Sequence, residues 1–210
     1  MRRLIPFLLL LLFVAGSGAA LFVLRRDAQP AAATLQVQAP SPQLGAPRTY
    51  LADAQQRQAQ AAGGFEQSPR SLLRIDRAMQ YGDFLWHEDG VPPGPVTVRV
   101  DLRTQLISVF RAGHEIGTAV VLYGADAKET PLGRFPILWK GKNHRSSLYD
   151  APMPYTLRLT GDGVAIHGSD VRWGAATHGC VGVPTDFAAK LYGQAGVGDA
   201  VTIVRSAKPA

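Results

Sequence analysis

The first hydrophobic feature of the chain is a mostly apolar segment at residues 4–24, which contains no charged residue across 21 positions. At about 1.5 Å of rise per residue, a helix of this length crosses a hydrocarbon layer of roughly 30 Å. The small residues at 15–20 offer a site for signal peptidase, whereas the apolar run resumes at 21–24. We therefore predict that residues 1–26 enter the membrane, and an uncleaved anchor is favoured over a cleaved signal segment.

The region from residue 27 to residue 92 has no strong hydrophobic period. Residues 27–47 are rich in Ala, Pro and Gln, which is typical of an extended or disordered spacer. Residues 49–62 are rich in Ala and Gln and are predicted to be helical. A serine and a proline then form an N-cap and a first helical turn, and predict a second helix at residues 68–81. We expect this second helix to pack on the main domain.

From residue 96 onward, apolar and polar residues alternate in short segments, with the period of a β-strand. Val96, Val98 and Val100 share one face, and a short polar turn leads to the next alternating segment, so the pattern predicts a hairpin. Strands are predicted at residues 96–102, 106–110, 116–122, 134–139, 157–159, 164–166 and 200–204, and a short helix at residues 185–192. Residues 93–206 are therefore predicted to form one mostly β domain of the β-rich α+β class.

Charge and cysteine content narrow the classes of function. The formal net charge is +6, but four arginines that flank the apolar N-terminal run supply most of it. No basic stripe interleaved with aromatic residues follows, so we expect no nucleic-acid partner. The chain has a single cysteine, Cys180, and therefore no intramolecular disulfide. A lone thiol is either a small buried hydrophobe or a reactive group. The residues around Cys180 indicate which of these two roles it has.

The neighbours of Cys180 favour a reactive thiol. His178 precedes it by two residues, and His167 precedes it by thirteen, at the end of an apolar segment. A nearby imidazole helps to generate the thiolate, which is the nucleophilic form. Gly168 and Gly179 leave the backbone uncrowded, so that a substrate carbonyl can approach backbone NH groups, as acyl transfer requires. A zinc site is the alternative, but the spacing of the other three histidines supplies no fourth ligand.

The segments around these residues resemble one known family. Residues 166–169 read Ile-His-Gly-Ser, and residues 177–181 read Thr-His-Gly-Cys-Val. Together they are similar to the active-site signature of the L,D-transpeptidase, or YkuD-like, family. The resemblance extends back through residues 98–105, the Thr-Pro-Leu-Gly-Arg-Phe segment at 130–135, and Met-Pro-Tyr at 153–155. It covers about residues 93–205.

The resemblance implies a YkuD-like β-sandwich with a short helix after the nucleophile. It implies that Cys180 attacks the carbonyl between the third and fourth residues of a peptidoglycan stem peptide, releases D-Ala and forms a thioester. His167 then matches the general base and acid, and the backbone carbonyl of Gly168 orients its imidazole. His178 and Gly179 support the nucleophile or the oxyanion site. The substrate-binding candidates are Tyr155, Met153, Ser169, Thr177 and Trp173. No metal or organic cofactor is required.

Two departures from the family pattern leave the outcome of the reaction open. Gly182 stands where many members place Arg or Asn, and the interval between His167 and Cys180 is shorter than in many relatives. The shortened loop contains Trp173, which fits a substrate contact and a core residue equally well. An amine acceptor would make the chain a transpeptidase, whereas water would make it an L,D-carboxypeptidase. Outside the enzyme class, the alternative is a non-catalytic peptidoglycan-binding or scaffolding protein.

The location of peptidoglycan orients the chain. Because this polymer lies outside the cytoplasmic membrane, the resemblance predicts that residues 27 onward are periplasmic or extracytoplasmic, held by the N-terminal segment or secreted if it is cleaved. The expected partners are peptidoglycan stem peptides and the membrane. We expect a monomer.

Overall fold

Strands predominate in the part of the chain that the structure describes. The structure is a computed structural model, and it describes residues 48–124, 128–147 and 150–207. The strands are β1 (Arg48–Tyr50), β2 (Ser71–Leu73), β3 (Phe84–Trp86), β4 (Val96–Asp101), β5 (Leu106–Arg111), β6 (His114–Val120), β7 (Gly133–Pro136), β8 (Trp139–Arg145), β9 (Pro152–Arg158), β10 (Ala165–Ser169), β11 (Val181–Pro184) and β12 (Ala200–Val204), and the helices are α1 (Asp53–Ala61) and α2 (Thr185–Gln194). The predicted mostly β fold with a short helix after Cys180 is confirmed.

The predicted membrane segment and the spacer at residues 27–47 lie outside the described residues. Neither described helix combines the length and the apolar character that crossing a membrane requires.

The strands form two sheets. The larger sheet has the order β1-β2-β6-β5-β4-β12-β7, and β3 also pairs with β6. The smaller sheet has the order β11-β10-β9-β8. Within the larger sheet, β4 and β5 pair antiparallel across the polar turn after Leu102, which confirms the predicted hairpin, and β12 lies parallel to β4. The predicted strand at residues 134–139 is in fact divided between β7 and β8, which belong to different sheets.

One hydrophobic core joins both sheets and α2. The alternating apolar residues of β4 and β5 point into it, as do the inner residues of the smaller sheet and the apolar face of the helix. Its most completely buried large side chains include Ile107, Leu157, Ile166, Phe187 and Leu191. Full burial of such a side chain stabilises the fold by about 1.5–3 kcal/mol. This core holds one face of the smaller sheet and leaves its other face open.

The predicted helix at residues 68–81 is wrong. Residues of this segment form β2, which pairs antiparallel with β1 and meets β6 at Ser71. The backbone NH of Arg70 donates to the carbonyl of Gly113 at 2.7 Å, and that of Leu73 donates to the Glu115 carboxylate at 2.7 Å. These bonds to β6 replace the local bonds of a helix. The helix predicted at residues 49–62 is confirmed as α1 over most of its length.

Residues before 93 extend the larger sheet and cover part of the core. The buried Arg48 guanidinium donates to the backbone carbonyls of His87 and Glu115. On β3, the ring of Trp86 packs edge-on against Phe187 of α2, with ring centroids 5.4 Å apart. The packing on the main domain that was expected of residues 68–81 is observed at β2, which pairs with β6 as a strand rather than as a helix.

Candidate active site

A cleft of about 630 Å³ lies over the open face of the smaller sheet. On β10 the alternate residues Ala165, His167 and Ser169 line this cleft, whereas Ile166 between them is buried in the core. This alternation follows from the two-residue period of a strand. On β10, the floor of the cleft therefore consists of every second side chain.

Cys180 stands immediately before β11, which pairs parallel with β10. Val181 lies opposite Ile166, and Gly182 lies opposite His167, so Cys180 precedes His167 on the neighbouring strand and faces the same cleft. Its thiol is half-buried, and Sγ donates a weak hydrogen bond to the carbonyl oxygen of Gly163 at 3.8 Å. The register thus brings together the two residues that the sequence separates by thirteen positions.

The backbone carbonyl of Cys180 is held by two threonines. The hydroxyl of Thr177 donates to it at 2.5 Å, and the hydroxyl of Thr130 donates to it at 3.4 Å. The backbone NH of Gly124 donates in turn to the Thr130 hydroxyl at 2.8 Å. Sequence reasoning assigned no role to the Thr130 side chain, although it recognised the Thr-Pro-Leu-Gly segment. The contact ties that segment directly to the loop that carries Cys180.

Gly179 lets this loop approach its neighbours closely. Its φ of +94° lies in the left-handed region that favours glycine. A Cβ at Gly124 would come within 2.6 Å of the Gly179 nitrogen, so both positions of this contact are restricted to glycine. The aliphatic chain of Lys128 packs beside Gly179, where an added Cβ would lie 3.2 Å from Lys128 Cγ. A lysine that the sequence analysis did not single out therefore borders the thiol.

The His167 imidazole is buried and oriented by its neighbour. Its Nδ1 lies 2.9 Å from the carbonyl oxygen of Gly168. A carbonyl only accepts hydrogen bonds, so Nδ1 carries the proton and Nε2 keeps its lone pair. Burial lowers the pKa of His167, the Gly168 carbonyl raises it in part, and the nearby His144 lowers it. The imidazole is therefore held in its neutral, proton-accepting form.

Opposing influences act on the pKa of Cys180. Burial is the largest and raises the pKa, whereas a hydrogen bond with the Ala165 backbone and the charge of Lys128 lower it. The charge of Asp162 raises it again. Lys128 and Asp162 form an ion pair at the wall of the cleft, with Nζ and Oδ2 3.1 Å apart. The resulting pKa lies above that of an ordinary cysteine, so the resting site holds a thiol beside a neutral imidazole.

The remaining predicted site residues divide into two groups. Met153, Ser169, Thr177 and His178 line the cleft with Cys180 and His167, whereas Gly168 and Gly179 contribute backbone groups beside it. The other two predicted residues, Tyr155 and Trp173, are not among the described residues that line this cleft.

Tyr155 and Trp173 lie elsewhere for different reasons. Tyr155 packs against Tyr192 of α2, with ring centroids 5.8 Å apart. Trp173 is 83% exposed and meets the ring of Tyr81 edge-on at 5.6 Å. The core alternative for Trp173 is therefore wrong, and the structure also leaves both aromatic residues outside the described cleft wall.

The departure at Gly182 has a steric reason. A Cβ at this position would lie 3.0 Å from the Cβ of Ser169 and 3.4 Å from that of Leu122. Leu122 and Gly182 also exchange two backbone hydrogen bonds of 2.8 and 2.9 Å, which join the segment after β6 to β11. A longer side chain at this position would therefore have to displace Ser169 and Leu122.

The described side chains offer no evident metal centre. In residues 48–124, 128–147 and 150–207, no three His, Cys, Asp or Glu side chains gather in a way that could hold a metal ion. What the cleft does offer is a thiol and an oriented imidazole beside a glycine-containing turn. These are the components of nucleophilic acyl transfer.

Comparison with known families gives the class to which this site belongs. Residues 95–203, more than half of the chain, match the YkuD family, the L,D-transpeptidase catalytic domain. The chain belongs to this family. The resemblance noted in the sequence is thereby confirmed.

Similar solved structures carry the same family name. They include an L,D-transpeptidase (Yku) from Stackebrandtia nassauensis, 25% identical over 62% of this chain and 60% of that one, with a TM-score of 0.48. L,D-transpeptidase 1 of Mycobacterium tuberculosis is 23% identical over 52% of this chain and 62% of that one, with a TM-score of 0.47. An L,D-transpeptidase from Mycobacterium smegmatis is 17% identical over 74% and 87%, with a TM-score of 0.49. The chain spans about three fifths of the first two. No curated protein matches the chain.

Proposed function

We propose that this chain is a cysteine L,D-transpeptidase that acts on peptidoglycan stem peptides. One observation carries the proposal: Cys180 and His167 face a single cleft, and the Gly168 carbonyl holds the imidazole with Nε2 able to accept a proton. Membership of the L,D-transpeptidase family supports the same reaction class.

In the first half of the proposed reaction, Nε2 of His167 takes the thiol proton of Cys180 as Sγ attacks the carbonyl carbon between the third and fourth residues of a tetrapeptide stem. Backbone NH groups of the turn at 178–180 stabilise the oxyanion of the tetrahedral intermediate. The intermediate collapses with cleavage of the C–N bond, and His167 returns the proton to the departing nitrogen of D-Ala. A thioester on Cys180 remains.

In the second half, an amine of another stem peptide attacks the thioester. His167 takes a proton from this amine, the C–S bond breaks, and the thiol of Cys180 is restored as a new amide bond forms. We propose that this occurs outside the cytoplasmic membrane, with residues 1–26 as the anchor. Peptidoglycan lies on that side, and the apolar run at residues 4–24 is long enough to reach across.

The test is incubation of the full-length protein in mild detergent with disaccharide tetrapeptide, followed by mass spectrometry. We expect a crosslinked dimer and free D-Ala, no product from Cys180→Ala, and a loss of about 10²- to 10⁴-fold in rate for His167→Gln. Lys142→Met, an exposed change on β8, serves as the control and should keep full activity.

Two other outcomes would replace the proposal. Tripeptide and D-Ala without dimer would make the chain an L,D-carboxypeptidase. Binding of the muropeptide to both the parent and Cys180→Ala, with no product from either, would make it a peptidoglycan-binding protein.

A further inference from the structure

Trp139 lines the cleft, but the chemistry proposed above does not use it. Its side chain is 44% exposed although it begins a sheet strand. The indole folds over the backbone of its own strand, because a Cβ at Gly141 would lie only 2.1 Å from indole Cη2. The His144 imidazole meets the ring edge-on, with centroids 5.2 Å apart. Strand backbone and imidazole thus hold an aromatic ring flat at the wall of the cleft.

Trp139 belongs to the row of the sheet that contains the nucleophile. It lies opposite Arg158 on β9, and Arg158 lies opposite Ala165 on β10. Extending the parallel register of β10 and β11 by one residue places Cys180 opposite Ala165. The row therefore runs from Cys180 through Ala165 and Arg158 to Trp139, and all four residues line the cleft.

The length of this row matches the distance from the scissile bond to the sugar of a muropeptide. Three strand spacings of about 4.8 Å place Trp139 about 14 Å from the Cys180 strand. An extended peptide advances about 3.3–3.6 Å per residue. We place the carbonyl of the third stem residue at Cys180 and let the donor stem follow the row. The third, second and first residues and the link to the sugar then span about the same distance as the row.

The chemistry of the ring suits this occupant. A pyranose presents a face of C–H bonds that packs on an indole, while its hydroxyl and amide groups stay in water. Tryptophan binds such amphipathic groups where its ring lies at the boundary between protein and water. The other two tryptophans have different surroundings: Trp86 packs on Phe187 and donates to Glu88 at 3.1 Å, and Trp173 lies outside the described cleft wall.

We propose that Trp139 is a stacking platform for the sugar that carries the donor stem, and that it makes the cleft prefer glycan-linked stems to free peptides. The inference rests on the proposed function, because it assumes a donor carbonyl at Cys180. Trp139 is in this sense a specificity-determining residue rather than a catalytic one. Gly141 supports it by leaving room for the ring.

The test compares two ligands on the full-length Cys180→Ala protein in mild detergent, by titration calorimetry. The ligands are the free tetrapeptide and the same tetrapeptide on its disaccharide. We expect the disaccharide form to bind about fivefold more tightly. Trp139→Ala should bring the two dissociation constants within about twofold of each other without changing that of the free peptide. Trp139→Tyr should keep most of the preference.

Two further variants separate stacking from general damage. Gly141→Ala displaces the indole without removing it and should abolish the preference as Trp139→Ala does. Leu138→Ala removes a neighbouring side chain that is 48% exposed and outside the described cleft wall, and it should keep the preference. Thermal unfolding of each variant shows whether it is folded.

Three outcomes would overturn the inference. If the Cys180→Ala protein binds both ligands with equal affinity, the sugar site is refuted but the proposed function stands. Equal weakening of both ligands by Trp139→Ala makes the residue a peptide contact or a structural one. Failure of both ligands to bind the Cys180→Ala protein removes the proposed function, and the sugar site with it.

Discussion

At the scale of single residues, the thiol of Cys180 is balanced between two opposite charges. Lys128 lowers its pKa and Asp162 raises it, while burial, the largest influence, favours the protonated form. Burial likewise lowers the pKa of His167. Both shifts favour the neutral forms, so the site does not rest as a thiolate–imidazolium pair. In the proposed reaction, the proton therefore moves from sulfur to nitrogen as Sγ attacks the substrate.

This balance predicts opposite effects of two substitutions on the titration of Cys180. Lys128→Met should move the midpoint of thiol alkylation to higher pH, because it removes a charge that stabilises the thiolate. Asp162→Asn should move the midpoint to lower pH, because it removes a charge that opposes the thiolate. The measurement is the rate of iodoacetamide modification against pH, which reports Cys180 alone because the chain has one cysteine.

The control for this experiment is Lys142→Met, an exposed lysine outside the described cleft wall, which should leave the midpoint in place. Shifts of Lys128→Met and Asp162→Asn in the same direction would refute the account of the two charges. They would indicate that the substitutions act by changing the burial of the thiol.

The residues of the site were predictable to different degrees from the sequence. Cys180 and His167 stand in short motifs beside glycines, so local sequence is enough to propose them. From the segment after β6, Thr130 bonds to the backbone carbonyl of Cys180 and Lys128 packs beside Gly179, while Trp139 reaches the cleft from β8. Only strand order and register bring these segments together, and neither can be read from hydrophobic period. Tyr155 was expected to contact substrate in the cleft, and in the structure its ring packs on Tyr192 of α2.

At the scale of elements, the junction of β2 and β6 shows why a local signal failed. The serine and proline before Arg70 have the form of a helix start, yet the backbone of this segment bonds to Gly113 and Glu115, about forty residues away. Helix signals are weak relative to such tertiary bonds. Strands β4, β5 and β12 were predictable because their apolar and polar residues alternate regularly, whereas β11 and most of β8 were not predicted.

Glu115 makes this junction sensitive to pH. The carboxyl is buried, and burial raises its pKa from 4.5 to about 7, against smaller lowering effects that include the Leu73 NH and Arg48. In the unfolded chain the proton leaves near pH 4.5, whereas the folded chain keeps it to about pH 7. The stability that depends on this proton is therefore complete below pH 4.5, falls as the pH rises to about 7, and is lost above it.

We predict that Glu115→Gln removes this dependence. Between pH 4.5 and 7 the parent should lose up to about 3 kcal/mol of unfolding free energy through this group, and the variant should lose correspondingly less. Urea unfolding at pH 5, 6, 7 and 8 measures the difference, with Glu129→Gln, an exposed carboxylate, as the matched control. Parallel pH curves for parent and Glu115→Gln would refute the prediction.

At the scale of the whole molecule, the larger sheet provides packing and the smaller sheet provides the site. The two are joined where Leu122 bonds to Gly182 and Tyr123 accepts from Thr177, within a few residues of Cys180. The order of the site therefore depends on the larger sheet. Residues before 93 are part of that dependence, because β1, β2 and β3 complete the sheet around β6.

The contact between β3 and α2 is where this dependence can be measured. Trp86 packs on Phe187, and its ring occupies the space above Gly117, where an added Cβ would lie 2.3 Å from it. Because α2 follows β11 directly, Trp86 supports the helix that continues from the strand after Cys180. We predict that Trp86→Ala lowers the free energy of unfolding by about 2–4 kcal/mol, through the cavity left against Phe187, as measured by urea unfolding.

Leu85→Ala, on the same strand but 40% exposed, should cost less than about 1 kcal/mol. Equal losses for the two variants would mean that β3 contributes only as a strand, and that its aromatic contact with α2 does not hold the nucleophile side of the fold.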